Sequence, residues 1–316
     1  MNKKYTIPTF FLAAILNTAC GQQENNDQLK PVTKEQYNAI SKEIKTFDYN
    51  PTYQIRFTRV HCTYEIYVND MLANFSFTTG NSAGELQVDI PQYILESGPQ
   101  EVKVKVYPKA IEDGKLEQGL SSDAVFNGRV VHGEYGKTDW DSFTQVATLK
   151  VPVVVGKPFV EYKVSFEAQV PYVLAGWKAG VDLGKENKTT LTKEVLEVYT
   201  RFVNASKHKD IGKIASSIYN REKEVAQAFF FKSGEAKSYD NGWEKLKEEA
   251  DNMVSIKIAD KAGLRYFAGS KVVALLQQNG EDRDFPAITA ETKEDYVYYA
   301  FYLFRPKPGA PLEIIR

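Results

Sequence analysis

Glu101-Val102-Lys103-Val104-Lys105-Val106-Tyr107 alternates charged and apolar side chains without a break until its final aromatic. Successive side chains of a strand point to opposite faces, so a period of two describes a strand with one face on a core and one in water. The same pattern extends outward in both directions. Upstream, Glu85 to Ile90 alternates, and so does Tyr53 to Phe57. Tyr64, Ile66 and Val68 share a face and run into Asn69-Asp70, a pair suited to a tight hairpin turn, after which Leu72 to Phe77 returns. Downstream come Arg129 to His132, Gln145 to Val155 and Val160 to Val170, with Gly and Pro in the gaps. The chain carries 19 Tyr and 18 Phe, residues that suit half-buried strands. Many short strands with no helical period predict an antiparallel β-sandwich over residues 51–173.

Within that region, Tyr67 to Asp70, Val88 to Gly98 and Val102 to Val106 together resemble a turn-and-strand arrangement of β-sandwich domains, both galactose-binding-like and Ig-like. The resemblance covers about 40 residues and implies the architecture. It brings no binding residue with it.

The period changes at Thr189. Leu191, Val195, Val198, Tyr199, Phe202 and Val203 follow the spacing of an amphipathic helix, with Thr190 or Thr192 able to cap it. Ile211, Ile214, Ile218, Tyr219, Val225 and Phe229 mark a second helix, and Trp243, Leu246 and Ala250 a shorter third. Strands return at Val254 to Ile258, Tyr266-Phe267, Val272 to Leu276 and Tyr296 to Phe304. Helices followed by antiparallel strands predict an α+β domain over 189–316, joined through a Gly-containing linker at 174–188. This order resembles the NTF2-like (cystatin-like) cone, in which helices pack into a curved sheet. The resemblance implies a pocket lined by Tyr199, Tyr219, Tyr266 and Tyr299, with Asp251 near its rim. Enzymes of that superfamily place an Asp base and a Tyr donor there. Here no segment visibly sets an acid in an apolar pocket, so the tyrosines read as core and no catalytic residue is assigned.

The run Tyr296-Val297-Tyr298-Tyr299-Ala300-Phe301-Tyr302-Leu303-Phe304 is apolar or aromatic on both alternating faces. Such a strand is covered on both sides. One side belongs to the cone interior. The other requires the sandwich or a partner, which makes Tyr296, Tyr298, Tyr299 and Tyr302 candidates for a pocket or interface.

At the start, Lys3-Lys4 precedes a mostly apolar stretch from Ile7 to Leu16, the layout of a secretory signal and too short to span a bilayer. Thr18-Ala19-Cys20 resembles a bacterial lipobox, with Asn17 where Leu is usual. That resemblance implies a signal peptide over 1–19, a lipidated Cys20 and a polar tether within 20–50, which Pro31 ends; Tyr37, Ile40, Ile44 and Phe47, spaced by three and four, then mark a short helix or an ordered lead-in. With Gly21 after the cysteine, it implies an outer-membrane anchor facing the periplasm. Cys62 is then single, suited to burial as a small hydrophobe.

Charge and motifs narrow the function. Basic and acidic residues nearly balance, 40 against 41, which argues against nucleic acid as a partner. The three histidines are isolated, and no HExxH, CxxC, GxSxG or phosphate-cradling spacing occurs, so no metal or other cofactor is expected. Expected instead is an envelope-anchored binding protein without catalysis, membrane-attached through its lipid and holding a protein partner. An immunity lipoprotein that neutralises a secreted effector is one form. A cone that binds or converts a small apolar ligand and a carbohydrate-binding module are the alternatives.

Overall fold

The computed structural model describes residues 31–316 except 83, 113, 138 and 279–281. Cys20, the 1–19 signal and the first part of the tether lie outside the described residues. The fold is mixed α/β, with mostly antiparallel sheets and few helices.

Two four-stranded antiparallel sheets form the first half. One has the order β4 (Leu86–Asp89), β1 (Pro51–Val60), β8 (Val125–Glu134), β9 (Thr144–Lys150). The other has β10 (Val160–Ala168), β5 (Gly98–Pro108), β2 (Cys62–Val68), β3 (Met71–Ser76). A small hairpin, β6 (Ala110–Glu112) with β7 (Lys115–Leu116), hangs from β5. In β5 the valines 102, 104 and 106 are all fully buried while the lysines between them stay partly exposed, as the alternation requires. Phe57 and Phe126 of the first sheet meet Tyr64 of the second at ring separations of 5.0–5.6 Å, so the sheets share one core. Asn69 and Asp70 both take positive φ, 50° and 61°, and turn β2 into β3. Both are residue types that tolerate the left-handed region, and paired positive φ matches the strand twist. Cys62 is buried, its thiol donating to the Val125 carbonyl, and burial pushes it up to about 11.

The second half starts from three helices, α2 (Lys188–Lys207), α3 (Ile211–Ala228) and α4 (Gly242–Asn252). Asn187 caps α2 through the Thr190 amide, one turn ahead of the threonines expected to do so. A short helix, α1 (Lys34–Asn38), closed by a Thr33/Gln36 capping box, packs against α3 and α4. Tyr37 and Ile40 are thereby buried in the helical core, so the segment from Val32 is packed structure. Leu174 and Trp177, within the expected linker, are likewise buried.

The remaining strands make two sheets. One runs β11 (Met253–Ile258), β14 (Ile288–Thr292), β15 (Tyr296–Tyr299). The other runs β12 (Ala262–Phe267), β13 (Val272–Gln277), β16 (Leu303–Phe304), β17 (Glu313–Ile314). The aromatic run is therefore not one strand, as its composition predicted. Tyr296 to Tyr299 joins one sheet, Leu303-Phe304 joins the other, and the chain breaks pairing between them. Double coverage does hold for the second part. Val272, Ala274, Leu276, Tyr302 and Phe304 pack into the core of the first half. Their alternating neighbours Val273, Leu275, Phe301 and Leu303 pack into the helical core. The sheet β12-β13-β16-β17 is thus a wall shared by both halves.

Burying a Leu here removes apolar surface worth about 1.5–3 kcal/mol, and emptying its site costs the cavity as well. Leu275→Ala and Leu276→Ala act on opposite sides of this wall. Each should lower the midpoint of the same urea unfolding transition, with a loss of about 2–5 kcal/mol. Two separate transitions, each shifted by only one of the variants, would contradict a shared wall.

Candidate functional site

A half-open cavity of about 460 Å³ lies on the helical side of the wall. Helical spacing builds three of its sides. Phe202 and Ser206 come from α2, Ile214, Ile218, Arg221 and Glu222 from α3, and Leu246, Glu249, Ala250 and Met253 from around α4. Residues 298–301, from the end of β15 through Phe301, close the fourth side. Gly242 starts α4 directly against Tyr37, where a Cβ would lie 2.9 Å from the ring. The floor is aromatic: Phe202 meets Phe301 edge-on at 4.5 Å and Tyr299 at 5.4 Å.

Three side chains interlock inside. Glu222 accepts from Arg221 through one carboxylate oxygen and from the Tyr239 hydroxyl through the other. Burial and the Glu222 charge hold the Tyr239 hydroxyl far above its ordinary range. Burial opposes the Arg221 charge, but Glu222 and Tyr239 outweigh it and leave the guanidinium more firmly protonated than usual. Tyr37 stands edge-on to Tyr239 at 6.0 Å. Glu249 is different. It is accessible, yet its recess is crowded enough that burial, reinforced by Glu222 and Glu248, raises its carboxyl. Across from it, Tyr299 is pushed up to about 12 by burial and the Glu249 charge.

The tyrosines singled out from the sequence scatter around this cavity. Tyr298 and Tyr299 line it. Tyr199 does not: it is fully buried, donating to the Phe301 carbonyl at 2.7 Å and accepting from the Leu275 amide at 3.0 Å. Tyr219 stands beside Tyr37, outside the lining, and Tyr266 packs on β12. Tyr302 faces the first half and donates to the Leu72 carbonyl. Tyr296 is 62% exposed. Asp251 pairs with Lys209 at the surface, away from the cavity.

The acids in the cavity, Glu222 and Glu249, correct the expectation that none would be there. Their signal was available: Arg221 and Glu222 fall three and four residues beyond Ile218, so charge interrupts an apolar helical stripe. Glu249 sits likewise between Leu246 and Ala250.

A second polar cluster ties the halves together. Glu65 of β2 accepts from the hydroxyls of Tyr67 and Tyr107, both at 2.8 Å, and Arg265 of β12 reaches it at 3.2 Å. The same guanidinium pairs with Asp284, and the two buried carboxyls bond one another. Burial lifts Asp284 to about 6, with Arg265 opposing and Glu65 adding. Burial would lift Glu65 too, but Arg265 and its hydrogen-bond donors hold it below its usual range. Among the described residues no group of three or more His, Cys, Asp or Glu is arranged to hold a metal, and no helix is long and apolar enough to cross a membrane. No protein-family model matches the chain, and neither does a curated protein or a solved structure.

Two outcomes follow from these geometries. Tyr239→Phe removes one of two donors from a buried carboxylate and should cost about 1.5–3 kcal/mol of unfolding free energy; a change within error would show the bond to be idle. Asp284 has a folded-state pKa above its unfolded value, so its contribution is complete below the unfolded pKa and is lost as pH rises through about 6. Urea unfolding across pH 4–6 should therefore show stability falling relative to Asp284→Asn, whereas parallel curves would contradict the raised carboxyl.

Proposed function

We propose that this protein binds a small, partly apolar molecule in the cavity between α3, α4 and β15, held at the cell envelope by lipid on Cys20. One observation carries the binding: a cavity of about 460 Å³, walled by rings and aliphatic side chains, into which Arg221, Glu222, Tyr239 and Glu249 converge. Ligand sites are typically concave, mostly apolar and set with a few fixed polar groups, at about 300–1,000 Å³. Helices α2–α4 followed by antiparallel strands support an NTF2-like cone as the frame, and the two sheets of the first half support a sandwich that carries it. Binding is favoured over turnover because Glu222 is already occupied by two donors. The anchor, export and outer-membrane placement rest on the lipobox resemblance at Thr18-Ala19-Cys20.

A second role, docking of a protein partner such as a secreted effector, draws support from Tyr296, whose exposed ring stands on the edge strand β15. Exposed tyrosine beside an unpaired strand edge is a usual basis for such contacts.

The ligand site is tested with the neutral fluorophore N-phenyl-1-naphthylamine. Its emission should rise saturably at one site per chain, and Ala250→Leu, which fills a lining position, should weaken binding at least tenfold with circular dichroism unchanged. Absence of saturable binding, or full binding in the folded variant, would contradict the site. For the anchor, palmitate labelling should vanish in Cys20→Ser, and retained labelling would remove Cys20 as its attachment point.

A further inference from the structure

The charges lining the cavity differ in what they touch. Arg221 is on Glu222 through Nη1, and its Nε is buried without a partner and closed off from the cavity. Lys245 Nζ donates to the Ser238 carbonyl at 3.1 Å, and Lys237 Nζ lies over the Phe231 ring at 5.9 Å. Glu222 is held by Arg221 and Tyr239. Glu249 stands apart. Among the described residues no cation and no hydrogen-bond donor reaches its carboxylate, and the charges that act on it, Glu222 and Glu248, are negative. It shares the cavity with the rings of Tyr37, Phe202, Tyr299 and Phe301.

We infer that the ligand of this cavity is a small organic ammonium ion, its charge against Glu249 and its apolar body against the aromatic floor. The assignment rests on the cavity being a binding site, as proposed above, and adds the charge of what it takes. Aromatic faces attract cations through their quadrupole, and the attraction strengthens when the ion leaves water. An unpaired carboxylate at the same cavity adds a Coulomb attraction for a cation. Burial first, then the Glu222 and Glu248 charges, raise the Glu249 carboxyl, and no positive charge offsets them. An anion would meet the carboxylates of Glu222 and Glu249.

Three probes of nearly one shape separate charge from shape. Benzyltrimethylammonium is the cation, neopentylbenzene its neutral isostere and phenylmethanesulfonate the anion. Each is titrated as a competitor against bound N-phenyl-1-naphthylamine, using the full chain. The cation should displace it at about one tenth the concentration the neutral probe needs, with the anion weakest. In Glu249→Gln the cation should lose that advantage while the neutral probe binds as before, a readout that also reports that the variant is folded. Equal or tighter binding of the neutral or anionic probe, or an undiminished cation preference in Glu249→Gln, would overturn the inference and leave the cavity a site for another ligand. Failure of the fluorophore itself to bind would overturn the binding site, and the inference with it.

Discussion

The structure depends on one sheet having to be buried on both faces. β13 reads Val-Val-Ala-Leu-Leu, with every one of those side chains buried. Exposing either face would leave several large apolar groups in water, so the strand fits only between two layers. Even-numbered residues of β13 and Tyr302-Phe304 serve the side of the first half, odd-numbered ones the helical side. The apolar core consequently does not divide at residues 174–188. Arg316 adds a polar link across the same join, reaching the Gln92 carbonyl at 2.7 Å and Glu224 at 2.9 Å while lying over the Trp177 ring.

Polar groups are placed where this packing leaves room. Arg265 holds two carboxyls that would otherwise be buried unpaired between the halves, a state costlier than either replacing or exposing them. In the cavity, Arg221 and Tyr239 do the same for Glu222. Fixed groups of this kind need a rigid backing. The wall supplies it, since Phe301 faces the cavity while Tyr302, the next residue, is anchored on the side of the first half. The wall therefore holds the recess in shape.

How much of this was legible in the sequence differs by level. The valines of β5, the Asn69-Asp70 turn and the three later helices were plain, because each is a local period or a local turn preference. The break inside Tyr296–Phe304 was not. Aromatic residues on both faces look alike whether one strand is covered twice or two strands serve different sheets, and pairing with β14 or β13 is set by distant chain. The three-and-four spacing of Tyr37, Ile40, Ile44 and Phe47 was legible as a short helix or an ordered lead-in, but that Tyr37 packs into the helical core was set by tertiary contact. The cavity acids were half legible. Charges interrupting the stripes of α3 and α4 were visible, but an exposed helix face and a cavity lining give the same interruption. Of the tyrosines named as pocket or interface candidates, Tyr199 and Tyr302 bond backbone in the core, while Tyr298 and Tyr299 line the recess.

The shared wall is tested most directly by native-state hydrogen exchange across a series of low urea concentrations. Amides of β5 in the first half, β13 in the wall and α3 on the far side should converge on one opening free energy with one urea dependence, because none of the three layers keeps its core without the wall. If β5 retained high protection while β13 and α3 opened together at lower urea, the halves would be separate cores in contact, and the wall would not be what holds the cavity in place.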